Sequence, residues 1–262
     1  MSQDNSLTSV EYWNSYWSSS QRPTKIDFSR NFGHNEILAN LVQFVPTGTD
    51  VSVAEIGGAP GSYLEFVMRQ CNVRGTIVDY SKIGCEQARE YFAHLNLDVE
   101  IIESDLSTVV ALGRKFDVVY SLGFIEHFVN VSEIVDLHAK LVRPGGILIL
   151  GCPNFRGING WFLRRLAPEL LATHNMEVMD SRSWDKFESS SNLSTLRKGY
   201  LGGFEPRVFY RSEFRNLKTF LLKSVAGFLV VLTRPRVFKL HNRWWFSQYL
   251  MGVYRIPEDT CV

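Results

Sequence analysis

Between Val51 and Cys152, short β-rich apolar runs alternate with helix-length amphipathic stretches, and this alternation constrains the chain more than any other feature. The runs are "VSVAEIG", "GTIVDY", "DVEIIES", "FDVVYSLG" and "GILILGC". Between them, "SYLEFVMRQC", "KIGCEQAREYFAHLN", "LSTVVALGRK" and "VSEIVDLHAKLV" bring apolar residues back every three or four positions. Such a pattern is expected of a parallel sheet covered by helices on both faces. "RPGG" at Arg143 to Gly146 stops the last of these helices before the fifth strand. The expected fold is α/β, a doubly wound and mostly parallel sheet.

Two regions outside this core differ in character. Residues 1–50 carry the aromatic cluster "EYWNSYW", then Pro23 and a helix over "GHNEILANLVQFV", and are expected to form a flanking or lid segment. Residues 153–210 are too long for an ordinary connection and read as an insertion with its own helices, expected to cap a substrate within a domain spanning 51–262. In that insertion "NGWFLRRLAPELL" is an amphipathic helix with Arg164 and Arg165 adjacent, followed by Pro168. The tail from Arg211 is expected to add one helix and two strands, the last being "SQYLMGVYRIP".

Composition removes several classes. A chain of 262 residues that is 45% hydrophobic can bury one substantial core. Its 28 Lys and Arg against 27 Asp and Glu give no global charge that would favour nucleic acid. Cys71, Cys85, Cys152 and Cys261 are far apart, without a CxxC pair, and read as free thiols in a reducing compartment. The N-terminus lacks the basic start and apolar segment of a signal peptide, and the longest apolar run, "VAGFLVVL", is far short of the ~20 residues of a membrane span. A cytoplasmic soluble protein is expected. "RPRVFKLHNRWWFSQYLMGVYRIP" alternates basic with aromatic residues, as interfacial segments do, so membrane-surface contact stands beside the favoured assignment of this stretch to the last two strands. Nothing in the sequence sets the oligomeric state.

"VAEIGGAPGSYLEF" is a strand, a glycine-rich turn and a helix start. Gly57, Gly58 and Gly61 let backbone approach a ligand, and the helix that follows offers free N–H groups. The turn resembles the first motif of class I, Rossmann-like S-adenosylmethionine-dependent methyltransferases, acid-x-Gly-x-Gly-x-Gly, here Glu55-Ile56-Gly57-Gly58-Ala59-Pro60-Gly61 with Ala59 at the middle glycine. Two alternatives stand beside it: a turn that binds nothing, and a dinucleotide site, whose Gly-x-Gly-x-x-Gly spacing is absent. Asp79 ends the second strand, where a carboxylate can accept both hydroxyls of a ribose; it could equally cap a helix, a role open to Ser81 as well. The resemblance implies that Asp105, in "ESDLS", meets an adenine amino group, its other reading again being a helix cap. It also implies S-adenosyl-L-methionine as cofactor, with Tyr80, Ser104 and Leu106 among its neighbours and Ser121, Leu122 and Gly123 beside its methionine portion. The same resemblance, carried by residues 50–152 and close to the small-molecule group, implies seven strands with the last antiparallel.

Methyl transfer from a sulfonium is an in-line displacement, and a base is needed only for a weakly acidic acceptor hydroxyl. His127, beyond the carboxyl end of the fourth strand in "YSLGFIEHFVN", is the candidate base, with a helix opened by Glu126 and His127 as the structural alternative. No metal is expected: related enzymes place another acid three residues before the Glu-His pair, where this chain has Gly123. His174 in the insertion is a second histidine that could face a substrate, and His34 could reach the methionine end of the cofactor. Trp13, Tyr16, Trp17, Phe155, Trp161, Phe162, Phe204, Phe209 and Tyr210 could close a pocket or simply form the core of a cap. The expected activity is O-methylation of a small-molecule or glycan-type biosynthetic acceptor, with a non-catalytic methyltransferase-like binding scaffold, and more remotely a nicotinamide oxidoreductase, as alternatives.

Overall fold

Two helices, α1 (Val10–Ser19) and α2 (Phe32–Gln43), precede the sheet in the computed structural model, which describes residues 5–20, 32–205, 217–232 and 242–258. Strands and helices then alternate as β1 (Ser52–Ile56), α3 (Ser62–Cys71), β2 (Arg74–Asp79), α4 (Lys82–His94), β3 (Val99–Glu103), α5 (Leu106–Ala111), β4 (Phe116–Leu122), α6 (Val131–Leu141) and β5 (Val142–Pro153). The chain continues through α7 (Gly157–Leu166), three short 3₁₀ turns, α8 (Trp184–Ser190), β6 (Ser194–Leu201), α9 (Leu217–Leu232) and β7 (Tyr249–Arg255).

The seven strands lie in the order β3-β2-β1-β4-β5-β7-β6. The first five are parallel, and β7 is antiparallel to both β5 and β6. Strand order reverses between β1 and β4, and at such a switch point the crevice beyond the carboxyl ends of the strands collects ligands. β1 is buried from Val53 to Ile56, which explains why it is apolar there except for Glu55. One face of the sheet packs on Leu64, Val67 and Phe92 of α3 and α4. The other packs on Val109, Ile134, Phe162 and Trp184. Each such side chain contributes about 1.5–3 kcal/mol on full burial, so the core helices are held by packing rather than by propensity.

The expected seven-stranded, mostly parallel fold is what forms, with three differences in detail. First, β6 comes from the presumed insertion rather than the tail, which among the described residues supplies one helix and one strand. Its side chains are exposed from Ser194 to Arg197 and only half-buried from Lys198 to Tyr200, so it carries no apolar run to announce it. Second, Glu126 and His127 do not open α6. They sit in a separate 3₁₀ turn, Ile125–His127, and α6 starts later at the cap Asn130, whose side chain accepts from the Glu133 amide. Third, "EYWNSYW" is helical: α1 is capped by Ser9. Cys71, Cys85 and Cys152 are buried free thiols. Among the described residues no helix is long and apolar enough to cross a membrane. Pro23, Phe209, Tyr210 and Cys261 lie outside the described residues, as does the side chain of His34.

Candidate active site

The turn from β1 into α3 uses its glycines for space and for backbone angle. Gly57 has φ +66°, and a Cβ there would stand 2.4 Å from the Phe124 ring. Gly61 has φ +102° and occupies the N-cap position of α3, where it offers no side-chain cap. Gly58 makes room for an acid: a Cβ would fall 2.6 Å from Cγ of Glu55. Glu55 itself lies buried under the turn, its carboxyl pushed up to about 8 by burial and facing Tyr120.

Asp79 ends β2 and ties the turn in place. Its carboxylate accepts from the amides of Ser81 at 2.8 Å and Ala59 at 3.2 Å. Burial pushes its pKa up to about 6 against these hydrogen bonds. The helix cap is Ser81, which accepts from the Gly84 amide, so Asp79 is not the cap of α4. Asp105, in contrast, does cap α5, accepting from the Thr108 amide at 3.0 Å. Burial acts to raise its pKa, but hydrogen bonds from Ser107 and Thr108 prevail and hold it at about 2.

Asp79, Tyr80, Ser104, Asp105 and Leu106 share the wall of a cavity of about 560 Å³. Its roof is the N-terminal strap, residues Ser6 to Glu11. The strap is pinned to the far side of the crevice: the Leu7 amide donates to the His127 carbonyl at 2.8 Å, the Val129 amide to the Asn5 carbonyl at 2.9 Å, and the Asn130 amide to Oδ1 of Asn5 at 2.6 Å. α1 then crosses to α4, where Asn14 accepts from the Ser81 hydroxyl at 2.9 Å. A narrow space lined by Gly57, Asp79, Gly123, His127 and Trp13 leads onward.

Beyond it is a second cavity of about 300 Å³, bounded by Leu122, Gly123, Glu126, His127, His174 and Asn159 among others. His127 and His174 come from opposite sides, with ring centroids 4.6 Å apart. Nδ1 of His127 is 2.7 Å from the Thr173 carbonyl, and Nδ1 of His174 is 2.6 Å from the Leu170 carbonyl. A carbonyl can only accept, so both rings donate from Nδ1 and carry the lone pair on Nε2. Nε2 of His127 lies 3.9 Å from Oε1 of Glu126, and one donor atom from each of Glu126, His127 and His174 falls within 4.8 Å of the others. Burial, reinforced by the neighbouring His174, lowers the His127 pKa to about 4 despite the Thr173 contact. Burial also lowers His174 and pushes Glu126 up to about 8. The group is thus poised with two neutral imidazoles and a reluctant acid.

Of the expected site residues, Gly57, Asp79, Tyr80, Ser104, Asp105, Leu106, Leu122, Gly123 and His127 face these spaces. Glu55, Gly58, Ala59, Gly61 and Ser121 stand behind them; Ser121 is buried with its hydroxyl unpartnered. Gly123 brings no acid to a metal site, yet His174 from the insertion supplies a third candidate ligand beside Glu126 and His127. Sequence reasoning missed Phe124, which rests against Gly57, and Asn159, whose Oδ1 is buried without a partner on the second cavity. The flanking or lid segment expected over residues 1–50 did not include the helix α1, though Ser9 with Val10 onward is a readable helix start.

Residues 53–146 match a family model described as a methyltransferase domain. The chain is 28% identical over 137 residues to the ubiquinone biosynthesis O-methyltransferase of Proteus mirabilis, covering 52% of this chain and 55% of that protein. It is 30% identical over 143 residues to the protein of that name from Caulobacter vibrioides, covering 54% and 56%. The chain thus spans about half the length of these curated relatives. Coclaurine N-methyltransferase bound to N-methylheliamine and S-adenosylhomocysteine superposes with a TM-score of 0.56 at 15% identity, over 90% of this chain and 75% of that one, which is a likeness of fold. The 3-2-1-4-5-7-6 sheet and the acids closing its second and third strands agree with the matched domain, and they give the chain the class I, Rossmann-like fold of the methyltransferases whose cofactor is S-adenosylmethionine.

Proposed function

We propose that the protein methylates a hydroxyl of a small-molecule or glycan-type acceptor, with His127 as the base. The observation that carries this reading is the position of the His127 imidazole: its neutral ring, fixed in one tautomer, lies at the seam between the crevice of Gly57 and Asp79 and the second cavity. The residues present suit the cofactor, since Gly57, whose lack of a side chain leaves room at the turn, and the buried Asp79 carboxylate line one crevice. When bound, the cofactor supplies an electrophilic methyl group. In this reading Asp79 holds the ribose hydroxyls and Asp105 the adenine end. The strap and Trp13 exclude water, and Nε2 of His127 takes the proton of the acceptor hydroxyl. Two curated relatives named as O-methyltransferases support an oxygen acceptor, whereas the fold, shared with an N-methyltransferase, leaves the accepting atom to the site.

Calorimetric titration with S-adenosylhomocysteine tests the cofactor half. Binding is expected, weakened about tenfold or more in Asp79→Ala. No binding, or equal binding by that variant, sinks it. For the base, His127→Ala is expected to lose about 10²–10⁴-fold in turnover with cofactor affinity kept; full activity would return His127 to a structural role.

One observation favours a second reading, the convergence of Glu126, His127 and His174. A divalent cation held by the carboxylate and the two Nε2 atoms would polarise the acceptor hydroxyl, and the backbone carbonyls on both Nδ1 atoms are the partners that orient ligating histidines. Turnover abolished by a chelator and restored by one added divalent ion favours this reading. Turnover indifferent to chelation favours the base.

A further inference from the structure

The outer face of α9 is built the wrong way round for water. Leu221, Val225 and Phe228 stand four and three residues apart, hence on one stripe, and are more than half exposed, while Lys223 and Ala226 are buried. Three tryptophans elsewhere in this part of the chain are also well exposed: Trp161 on α7, which packs against α9, and Trp244 and Trp245 before β7. Two of them carry arginines, with the Arg165 guanidinium 3.9 Å from the Trp161 ring centroid and Arg156 5.3 Å from that of Trp244.

Charge identifies what covers this face. Arg164 and Arg165 on α7 and Arg243 beside Trp244 are exposed, and the sequence from 207 to 243, most of whose basic side chains lie outside the described residues, holds nine Lys or Arg against one acid, Glu213, in a chain of net charge +1. A symmetric dimer through this face would bring Arg164, Arg165 and Arg243 of one copy towards those of the other, because an isologous interface pairs each patch with its own copy. An anionic surface has the complementary sign, and tryptophan and arginine beside an apolar stripe are what an interfacial segment presents to lipid headgroups.

We propose that the outer face of α9, with the tryptophans beside it, docks on an anionic lipid bilayer and lies on the membrane without crossing it. The docking face and the second cavity share one loop. The Asn154 side-chain amide donates to the carbonyls of Trp244 and Ser247 at 2.8 Å each, and that of Asn159 to Ser247 at 3.1 Å. Asn154, Asn159 and Gln248 all line the cavity. Docking therefore brings the acceptor site beside the headgroups, a consequence for acceptor choice that rests on the methyl-transfer reading, whereas docking itself does not.

The test is sedimentation of the full chain with vesicles of phosphatidylcholine alone or mixed with phosphatidylglycerol, at low and high salt and without cofactor. Binding is expected only with phosphatidylglycerol, falling on the order of tenfold at high salt and again in the double variant Leu221→Glu, Phe228→Glu. Unchanged S-adenosylhomocysteine affinity in that variant shows that it is folded. Equal binding to both vesicles, or equal binding by the variant, overturns the proposal. So does a dimer that this variant dissociates in a protein that ignores vesicles, which would assign the face to a second copy. Vesicle binding and cofactor binding are measured separately, so either can fail alone.

Discussion

Nδ1 of His127 lies 2.7 Å from the carbonyl oxygen of Thr173, 46 residues further along the chain. The contact fixes the ring's tautomer from a distant loop, and the loop is itself held by the Asn175 amide, which donates to the Glu126 carbonyl at 2.6 Å.

With its pKa lowered to about 4, His127 stays neutral and able to accept a proton well below the usual histidine range. The pH profile of kcat/KM should therefore show no acid limb at the ordinary value of 6.5, only a decline as pH falls toward about 4. An acid limb near 6.5 would mean that His127 is solvated in the working enzyme.

Stability should depend on pH through buried groups of opposite sign. Glu55 is raised from 4.5 to about 8, so its contribution is complete below 4.5 and is lost as pH rises through about 8. His138, buried and lowered from 6.5 to about 4, contributes fully above 6.5 and loses that as pH falls through about 4. Glu55→Gln keeps the shape and cannot ionise. Its melting temperature relative to the parent should rise from pH ~5 to pH ~9. A difference that stays constant across that span would contradict the assignment.

Gly57→Ala combines a left-handed backbone with a Cβ 2.4 Å from Phe124. The backbone alone costs about 1–2 kcal/mol, and displacement of the Phe124 ring adds to it. Denaturant unfolding should show at least that loss, with weakened S-adenosylhomocysteine binding. Gly199→Ala, where nothing lies within 4 Å, serves as the control and should leave both unchanged.

Trp13 places its indole edge-on to His127 at 5.0 Å between ring centroids and donates from Nε1 to Thr8 Oγ1 at 3.0 Å. Trp13→Ala should loosen the strap and admit water to His127. The expected outcome is several-fold weaker S-adenosylhomocysteine binding, with the pH limb of His127 moving up toward 6.5, and only about 0.5–1.5 kcal/mol lost in stability. Unchanged cofactor affinity would show that the strap plays no part in holding it.

The parts of this molecule that were legible are those where burial imposes a pattern. β1, β2, β4 and β5 are apolar because helices cover both faces, and α3 runs over the stretch its periodicity suggests. The acids closing β2 and β3 could be found because they follow strand ends. β6 escaped because an exposed edge strand, "STLRKGYL", has no apolar requirement to display. The periodicity of "VSEIVDLHAKLV" locates α6, and Asn130 with Glu133 three residues on marks its cap, whereas the separate 3₁₀ turn of Glu126 and His127 carries no such period. His174 could be suspected from its place in the insertion. Its pairing with His127 could not be read, because it depends on how a loop folds back rather than on any local period.

The course of β6 also bears on how such a protein could be recombined. β6 pairs with β7 along Ser194 to Leu201 and forms one edge of the sheet. A transplant of residues 153–210 would carry away a structural strand together with the loop that bears His174, leaving β7 with an open edge. The module that can be exchanged between related scaffolds ends before Ser194. Any chimera built to alter acceptor choice should be spliced there.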